Sequence, residues 1–209
     1  MRKDILTANQ LDLLPLIREF SGDYYLAGGT AIALYLGHRR SVDFDLLTPG
    51  RVRRQSIRKT IGRFAYPVSD VLYEDSEQIH LMINEVRVTF LSYPYPIAAD
   101  TDFEKIIRMP GLLTLAAMKA CALGGRAKWK DYVDLFFVLR DHFPLKQVAD
   151  HAKEIFGAFF NEKLFREQLC YYQDIDYSEK VDFVAPAVPD GEIKEFLTNT
   201  ATTPFTSNL

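Results

Sequence analysis

A Gly-Gly-Thr motif and an Asp-x-Asp motif near the N-terminus combine residue types that bind phosphate and metal ions. Gly28 and Gly29 stand between a predicted strand and a predicted helix, where missing side chains let the backbone come close to a ligand. The N-terminus of that helix offers free N–H groups and a positive dipole end, and Thr30 adds a hydroxyl. This pattern predicts a phosphate site, although a lone Gly-Gly-Thr is more often only a turn.

Two carboxylates follow on the next predicted strand. Residues two apart on a strand point to the same face, so Asp43 and Asp45 should project together while Val42, Phe44 and Leu46 face the core. Adjacent carboxylates repel unless a cation lies between them, and Mg²⁺ prefers carboxylate and phosphate oxygens. A lone Asp-x-Asp is more often a solvated strand face, but the combination with the glycine motif favours a metal–phosphate site.

A second cluster of charged residues lies around a predicted helix–helix connection. Lys119, Arg126 and Lys130 surround the Gly124-Gly125 break, and Asp131 and Asp134 begin the next helix on one face. Cations beside a phosphate site would offset charge that develops during transfer. The alternative is structural: Asp131 at a helix start, paired with Lys119 or Arg126.

The two blocks together resemble a known protein family. Residues 26–34 (LAGGTAIAL) and 37–45 (GHRRSVDFD) look like the signature of the AbiEii/AbiGii toxins, members of the DNA polymerase β-like nucleotidyltransferase superfamily. Residues 115–135 (LAAMKACALGGRAKWKDYVDL) are similar to that family's Lys…Arg…Lys-Asp-x-x-Asp helices. The resemblance covers roughly residues 22–142 and implies a nucleotidyltransferase.

The resemblance implies a role for each matching position. The triphosphate of an NTP would be held by Gly28, Gly29 and Thr30, and Mg²⁺ or Mn²⁺ by Asp43 and Asp45. Further contacts to phosphate or to the acceptor are implied for four residues, namely Arg39, Ser41, Lys119 and Arg126, with Asp131 beside Lys119 or the acceptor. A structural alternative remains open for Arg39, which could pair with Asp43 or Asp131.

One position departs from the superfamily pattern. A third carboxylate usually stands on a later strand, and the residue that aligns with it here is Thr89. Threonine is neither a general base nor an anionic metal ligand at neutral pH, so the third-carboxylate function is in doubt. Glu85 would replace it only if the strand register were shifted. The four histidines show no metal-ligand spacing and are interpreted as surface or packing residues, His80 on a strand among them.

The predicted elements give an α+β fold. Strand–helix–strand–helix, followed by strands near 67–74, 78–83 and 85–92, predicts a minimal nucleotidyltransferase fold with a small mixed β-sheet and flanking helices. Helical periodicity at 111–124, 130–142, 145–158 and 161–172 predicts a C-terminal helical bundle. We place the core at residues 1–108, a helical region completing the cleft at 109–197, and a flexible tail at 198–209.

Composition sets limits on the class of protein. The chain has 209 residues, 48% hydrophobic and 25% charged, which excludes a disordered or collagen-like chain, and two cysteines exclude a disulfide scaffold. The formal net charge is -3, yet residues 37–63 hold eight Lys/Arg against two Asp, a net +6. A solvated basic helix and an anion-attracting flank fit this segment equally well.

The resulting hypothesis is transfer of NMP from an NTP by a bacterial, type IV-like toxin, with tRNA or other RNA as a candidate acceptor and a winged-helix antitoxin as a candidate partner. Alternatives are an inactive nucleotide-binding or interaction module, for which Thr89 is the argument, and transfer to a small molecule or protein. The lack of a signal peptide or long apolar run leads us to expect a cytoplasmic protein without a membrane span.

Overall fold

A computed structural model describes residues 1–184 and 186–204. The chain divides into two units, Met1–Gly111 and a second that begins at Leu112. The sequence analysis places this division after residue 108. None of the described helices is long and apolar enough to cross a membrane.

The first unit alternates helices and strands before a run of strands. After a short 3-10 turn at Lys3–Ile5, its elements are α1 (Ala8–Arg18), β1 (Tyr25–Ala27), α2 (Gly28–Leu36), β2 (Asp43–Thr48), α3 (Arg54–Ile61), β3 (Val68–Glu74), β4 (Gln78–Ile83), β5 (Val86–Ser92), β6 (Thr101–Phe103) and β7 (Ile107–Met109). Gly37 ends α2 in the left-handed conformation, as its position in the sequence predicts.

Five of these strands form one mixed sheet in the order β1-β2-β5-β4-β3. The β2–β5 pair is parallel, and the other neighbours are antiparallel. Phe44, Leu46, Val88 and Phe90 are fully buried on the inner strands. The predicted α+β class, with a small mixed sheet and flanking helices, is therefore confirmed, and the sheet aligns β2 directly beside β5.

The second unit is helical. It contains α4 (Leu112–Leu123), α5 (Trp129–Asp141), α6 (Leu145–Phe156), a 3-10 turn (Gly157–Phe159), α7 (Glu162–Leu169) and α8 (Asp190–Thr202). The prediction of a flexible tail from residue 198 was wrong for its first part: α8 continues to Thr202, and Ala201 is buried. Residues 205–209 lie outside the described residues.

Two further features differ from the sequence analysis. β6 and β7 form a hairpin that the predicted strands do not include. Its turn places Glu104 and Lys105 at positive φ without the glycine or asparagine that normally signals such a turn. Val42 does not face the core: it precedes β2 and is 48% exposed, because the alternating pattern begins only at Asp43.

Candidate functional site

The glycine motif forms the junction between β1 and α2, and the space at both glycines is filled by side chains of this chain. Gly28 has a φ of +70°, and a Cβ there would overlap the carboxylate of Asp45. A Cβ on Gly29 would lie 2.6 Å from Arg39 Nη2 and 3.3 Å from Ser41 Oγ. The glycines therefore make room for Asp45, Arg39 and Ser41, in addition to any approach of backbone to a ligand.

Thr30 ties the start of α2 to β2. Its side chain is 2% exposed, and its hydroxyl donates to the backbone carbonyl of Asp43. Thr30 thus fixes the start of α2 to β2, and its contact with phosphate remains a prediction of the resemblance. The N-cap residue of α2 is Ala27, and its side chain makes no capping hydrogen bond to the first N–H groups of the helix.

Asp43 and Asp45 share one face of the sheet, as predicted. Both are partly exposed, and Phe44 between them is buried. Asp45 pairs with Ala27 on one side and with Thr89 on the other. This arrangement places the carboxylate of Asp45 against the Gly28 junction at the start of α2.

Asp43 has a cationic partner that the sequence analysis did not assign. The parallel register pairs Asp43 with Arg87, and Arg87 Nη2 forms an ion pair with Asp43 Oδ2. The side chains are 36% and 20% exposed. The partner of Arg87 depends on a parallel pairing between segments 44 positions apart in the chain, which no local spacing in the sequence predicts.

The structure places Thr89 next to Asp45 and removes Glu85 as a substitute. Thr89 is the β5 partner of Asp45 and is 7% exposed. Glu85 precedes β5 in a turn at positive φ, and its carboxylate accepts a hydrogen bond from Asn9 Nδ2 at 3.0 Å. No register shift brings it beside Asp45, so a threonine occupies the strand position next to that carboxylate.

A histidine continues this row of residues. His80 on β4 pairs with Thr89, and its Nε2 lies 2.9 Å from Gln78 Oε1. Burial lowers the pKa of His80, Arg87 lowers it further, and Asp45 and Asp75 raise it. The sequence offered no signal for this placement, because it depends on the register of three strands.

We expect nuclear magnetic resonance to find the pKa of His80 below its ordinary value. Arg87→Met removes a positive charge that disfavours protonation, so the pKa of His80 should rise. Asp45→Asn removes a negative charge that favours protonation, so it should fall. Opposite shifts, or no shift in either variant, would contradict the placement of His80 beside these groups.

Arg39 and Ser41 are buried behind the glycine junction. They are 2% and 7% exposed, and Arg39 Nη1 donates to the carbonyl of Arg40 at 2.9 Å. Their contacts with the Gly29 position brace the loop before β2. Direct contact of either residue with phosphate remains a prediction of the resemblance.

The second unit contains a buried ion-pair cluster. Lys119 Nζ lies 2.6 Å from Asp131 Oδ1 and 3.0 Å from Asp134 Oδ2, and all three side chains are at most 5% exposed. Arg126, which is 55% exposed, binds the other oxygen of Asp131 at 3.0 Å. The pairing expected for Asp131 is present, and Asp134 belongs to the same cluster. The roles of Lys119, Arg126 and Asp131 toward phosphate or acceptor remain predictions.

Asp43 and Asp45 suit a hard divalent cation. Mg²⁺ is usually held by one or two carboxylates together with waters and substrate phosphates, so two carboxylates on one face suffice. Within residues 1–184 and 186–204, no group of three or more His, Cys, Asp or Glu side chains could hold a metal ion. A cation at Asp43 and Asp45 would therefore be held together with waters and substrate phosphates.

The close approach of Gly28 to Asp45 leads to a stability prediction. Gly28→Ala should lower the free energy of unfolding by at least about 2 kcal/mol, because positive φ strains alanine and its methyl group overlaps the carboxylate. Gly22→Ala is the control, since nothing lies within 4 Å of its added Cβ, and it should change stability by less than about 0.5 kcal/mol. Equal urea unfolding curves for the two variants would contradict the prediction.

Comparison with known proteins gives one family match and several similar structures. A model of the family "Nucleotidyl transferase AbiEii toxin, Type IV TA system" matches residues 16–202. An uncharacterized protein of Aquifex aeolicus (strain VF5), aq_aa25, is 32% identical over 157 residues, 73% of this chain and 75% of its own.

Two solved structures share the fold at low identity. JHP933 from Helicobacter pylori has a TM-score of 0.60 at 17% identity, covering 94% of this chain and 91% of its own. MenT4, the nucleotidyltransferase toxin Rv2826c from Mycobacterium tuberculosis H37Rv, has a TM-score of 0.63 at 13% identity, covering 93% and 82%.

Proposed function

Because this chain belongs to the AbiEii nucleotidyltransferase toxin family of type IV toxin–antitoxin systems, we propose that it transfers a nucleoside monophosphate from an NTP to an acceptor at the face that carries Asp43 and Asp45. The observation that supports this most strongly is the placement of both carboxylates on one face, with Asp45 against the Gly28 junction at the start of α2. Such a face attracts a cation and, beside it, the anionic triphosphate.

Different residues of this face would bind the triphosphate and the metal ion of the NTP complex. The first N–H groups of α2 would bind the triphosphate, with Gly28 and Gly29 keeping the junction narrow and Thr30 fixing it to β2. Asp43 and Asp45 would hold Mg²⁺ or Mn²⁺, which when bound neutralises phosphate charge that develops in the transition state. Positioning and charge neutralisation are the main contributions that proteins make to phosphoryl-group transfer.

In the proposed reaction, an acceptor oxygen forms a bond to the α-phosphorus of the NTP. The bond from that phosphorus to the oxygen bridging to the β-phosphate breaks, and pyrophosphate leaves with the electron pair. The acceptor proton passes to solvent. Parallel reactions with α-³²P-labelled and γ-³²P-labelled NTP distinguish this from phosphoryl transfer: the proposal predicts acceptor labelling from the α label only, and labelling from γ would contradict it.

RNA, tRNA in particular, is the acceptor that we propose. Residues 51–63, which include α3, carry six exposed Lys/Arg side chains (Arg51, Arg53, Arg54, Arg58, Lys59 and Arg63). Glu74 pairs with two of them and Glu19 with a third. Binding through such a surface should weaken steeply with salt. Label on the protein or on a small molecule would contradict an RNA acceptor. The winged-helix antitoxin, as a protein partner of this chain, remains a prediction.

A second candidate function is nucleotide binding without efficient transfer. The observation in its favour is Thr89 beside Asp45, where no carboxylate completes a second metal position. This alternative predicts Mg²⁺-dependent thermal stabilisation by NTPs, lost in Asp45→Ala, with no label on any acceptor. Transfer by the wild-type protein would exclude it.

A further inference from the structure

The ion pair between Arg87 and Asp43 involves one of the two carboxylates of the proposed metal site. Arg87 Nη2 contacts Asp43 Oδ2, and the parallel register fixes the two residues side by side on β5 and β2. A guanidinium and a divalent cation bound to the same carboxylate repel each other, even where the cation uses the other oxygen. Metal binding at Asp43 therefore weakens this ion pair and favours movement of Arg87 away from Asp43.

Arg87 has the freedom to move and remains near the same face when it does. Its side chain is 36% exposed, in contrast to the buried Arg39 behind the glycine junction. Its backbone lies on β5 two residues before Thr89, so it remains beside the strand that carries Asp45. Arg87 also lies near enough to His80 on β4 for its charge to lower the pKa of that histidine.

The chemistry of the guanidinium indicates its second partner. Arginine forms paired, parallel hydrogen bonds to the oxygens of carboxylates and phosphates alike. A nucleoside triphosphate bound with a cation at Asp43 and Asp45 would bring phosphate oxygens to the face where Arg87 is displaced. The two changes are thus coupled: the cation binds the carboxylate of Asp43, and the triphosphate binds the guanidinium of Arg87.

We propose that Arg87 is a triphosphate-binding residue that exchanges partners, bound to Asp43 in the protein alone and to the phosphates of the nucleotide once a divalent cation binds Asp43. The inference rests on the function proposed above. It adds the guanidinium of Arg87 to the groups of this face that bind the triphosphate. It makes Arg87 oppose binding of the metal alone and favour binding of the metal–nucleotide complex.

The test compares two affinities in the same variants, without measuring transfer. Binding of Mn²⁺ alone is followed by electron paramagnetic resonance. Binding of each of the four α,β-methylene NTPs with Mg²⁺ is followed by calorimetry, since a methylene bridge prevents transfer. Arg87→Met should tighten Mn²⁺ binding and weaken binding of the best analogue, each by about tenfold, because it removes one charge near both ligands.

Two further variants separate charge and geometry from general damage. Arg87→Lys keeps the charge but loses the paired N–H donors of the guanidinium. Its Mn²⁺ affinity should therefore stay near that of wild type, while binding of the analogue weakens. Arg108→Met removes an exposed arginine from β7 in the same unit and should change neither affinity. Thermal unfolding of each variant verifies that the fold is retained.

Opposite changes in the two affinities of Arg87→Met would support the inference. Unchanged or weaker Mn²⁺ binding in that variant, or unchanged analogue binding, would overturn it. If wild type binds both ligands and Asp45→Asn loses both, while Arg87→Met changes neither, only the role of Arg87 fails. If wild type binds neither ligand, the proposed function fails with it.

Discussion

Asp45→Asn should reduce nucleotide transfer by about 10³-fold, because loss of a metal-holding carboxylate removes several kcal/mol of transition-state stabilisation. Asparagine has nearly the same shape as aspartate, so it fits beside Gly28. The substitution also removes one of two neighbouring negative charges and leaves Asp43 paired with Arg87. The thermal midpoint should therefore stay near that of wild type, and the loss should appear in kcat/KM.

Asp70→Asn provides the matched control for this variant. Asp70 is an exposed carboxylate on β3, the edge strand of the same sheet. Its removal changes the net charge by the same amount as Asp45→Asn and should leave kcat within about twofold of wild type, as expected for an exposed charge on an edge strand. An Asp45→Asn protein that keeps more than a tenth of wild-type transfer would be incompatible with the proposed site.

Lys119→Met should lower the free energy of unfolding of the helical unit by about 3–5 kcal/mol. The substitution keeps the length of the side chain but removes the ammonium that lies between Asp131 and Asp134. Asp131 retains Arg126, whereas Asp134, which is fully buried, loses an ammonium that lies 3.0 Å from its carboxylate. Urea unfolding followed by circular dichroism measures the loss.

A double variant and a surface control test the cause of that loss. Adding Asp134→Leu to Lys119→Met should recover part of the stability, because apolar groups can replace a buried ion pair at little cost. Lys163→Met breaks an exposed pair with Glu167 in the same unit and should cost less than about 1 kcal/mol. Equal losses for Lys119→Met and Lys163→Met would show that the buried cluster does not contribute as argued.

The parts of the fold that could be predicted from sequence depend on local patterns. Alternation of polar and apolar residues from Asp43 identified β2, and glycines marked both ends of α2. The Asp-x-Asp spacing alone placed two carboxylates on one face, because the period of a strand is two residues. The charged residues around the Gly124-Gly125 break indicated that Asp131 could pair with Lys119 or Arg126, and the structure contains both pairs.

The parts that could not be predicted depend on contacts between distant segments. The sequence shows that Gly28 lacks a side chain, but not that the carboxylate of Asp45 fills the space. Arg87 and His80 join the candidate site only through the register of β2, β5 and β4. Such pairings are set by packing of the whole sheet, so no local spacing in the sequence predicts them.

Transfer of a nucleoside monophosphate from an NTP, at the face of Asp43 and Asp45 and with the help of a divalent cation, is the activity proposed for this chain. The most direct test incubates the wild-type protein with α-³²P-labelled NTPs and total tRNA, with Mg²⁺ or with a chelator, beside Asp45→Asn. We expect labelled RNA with Mg²⁺ and none with the chelator or with Asp45→Asn. Labelling that survives both chelation and Asp45→Asn would contradict it.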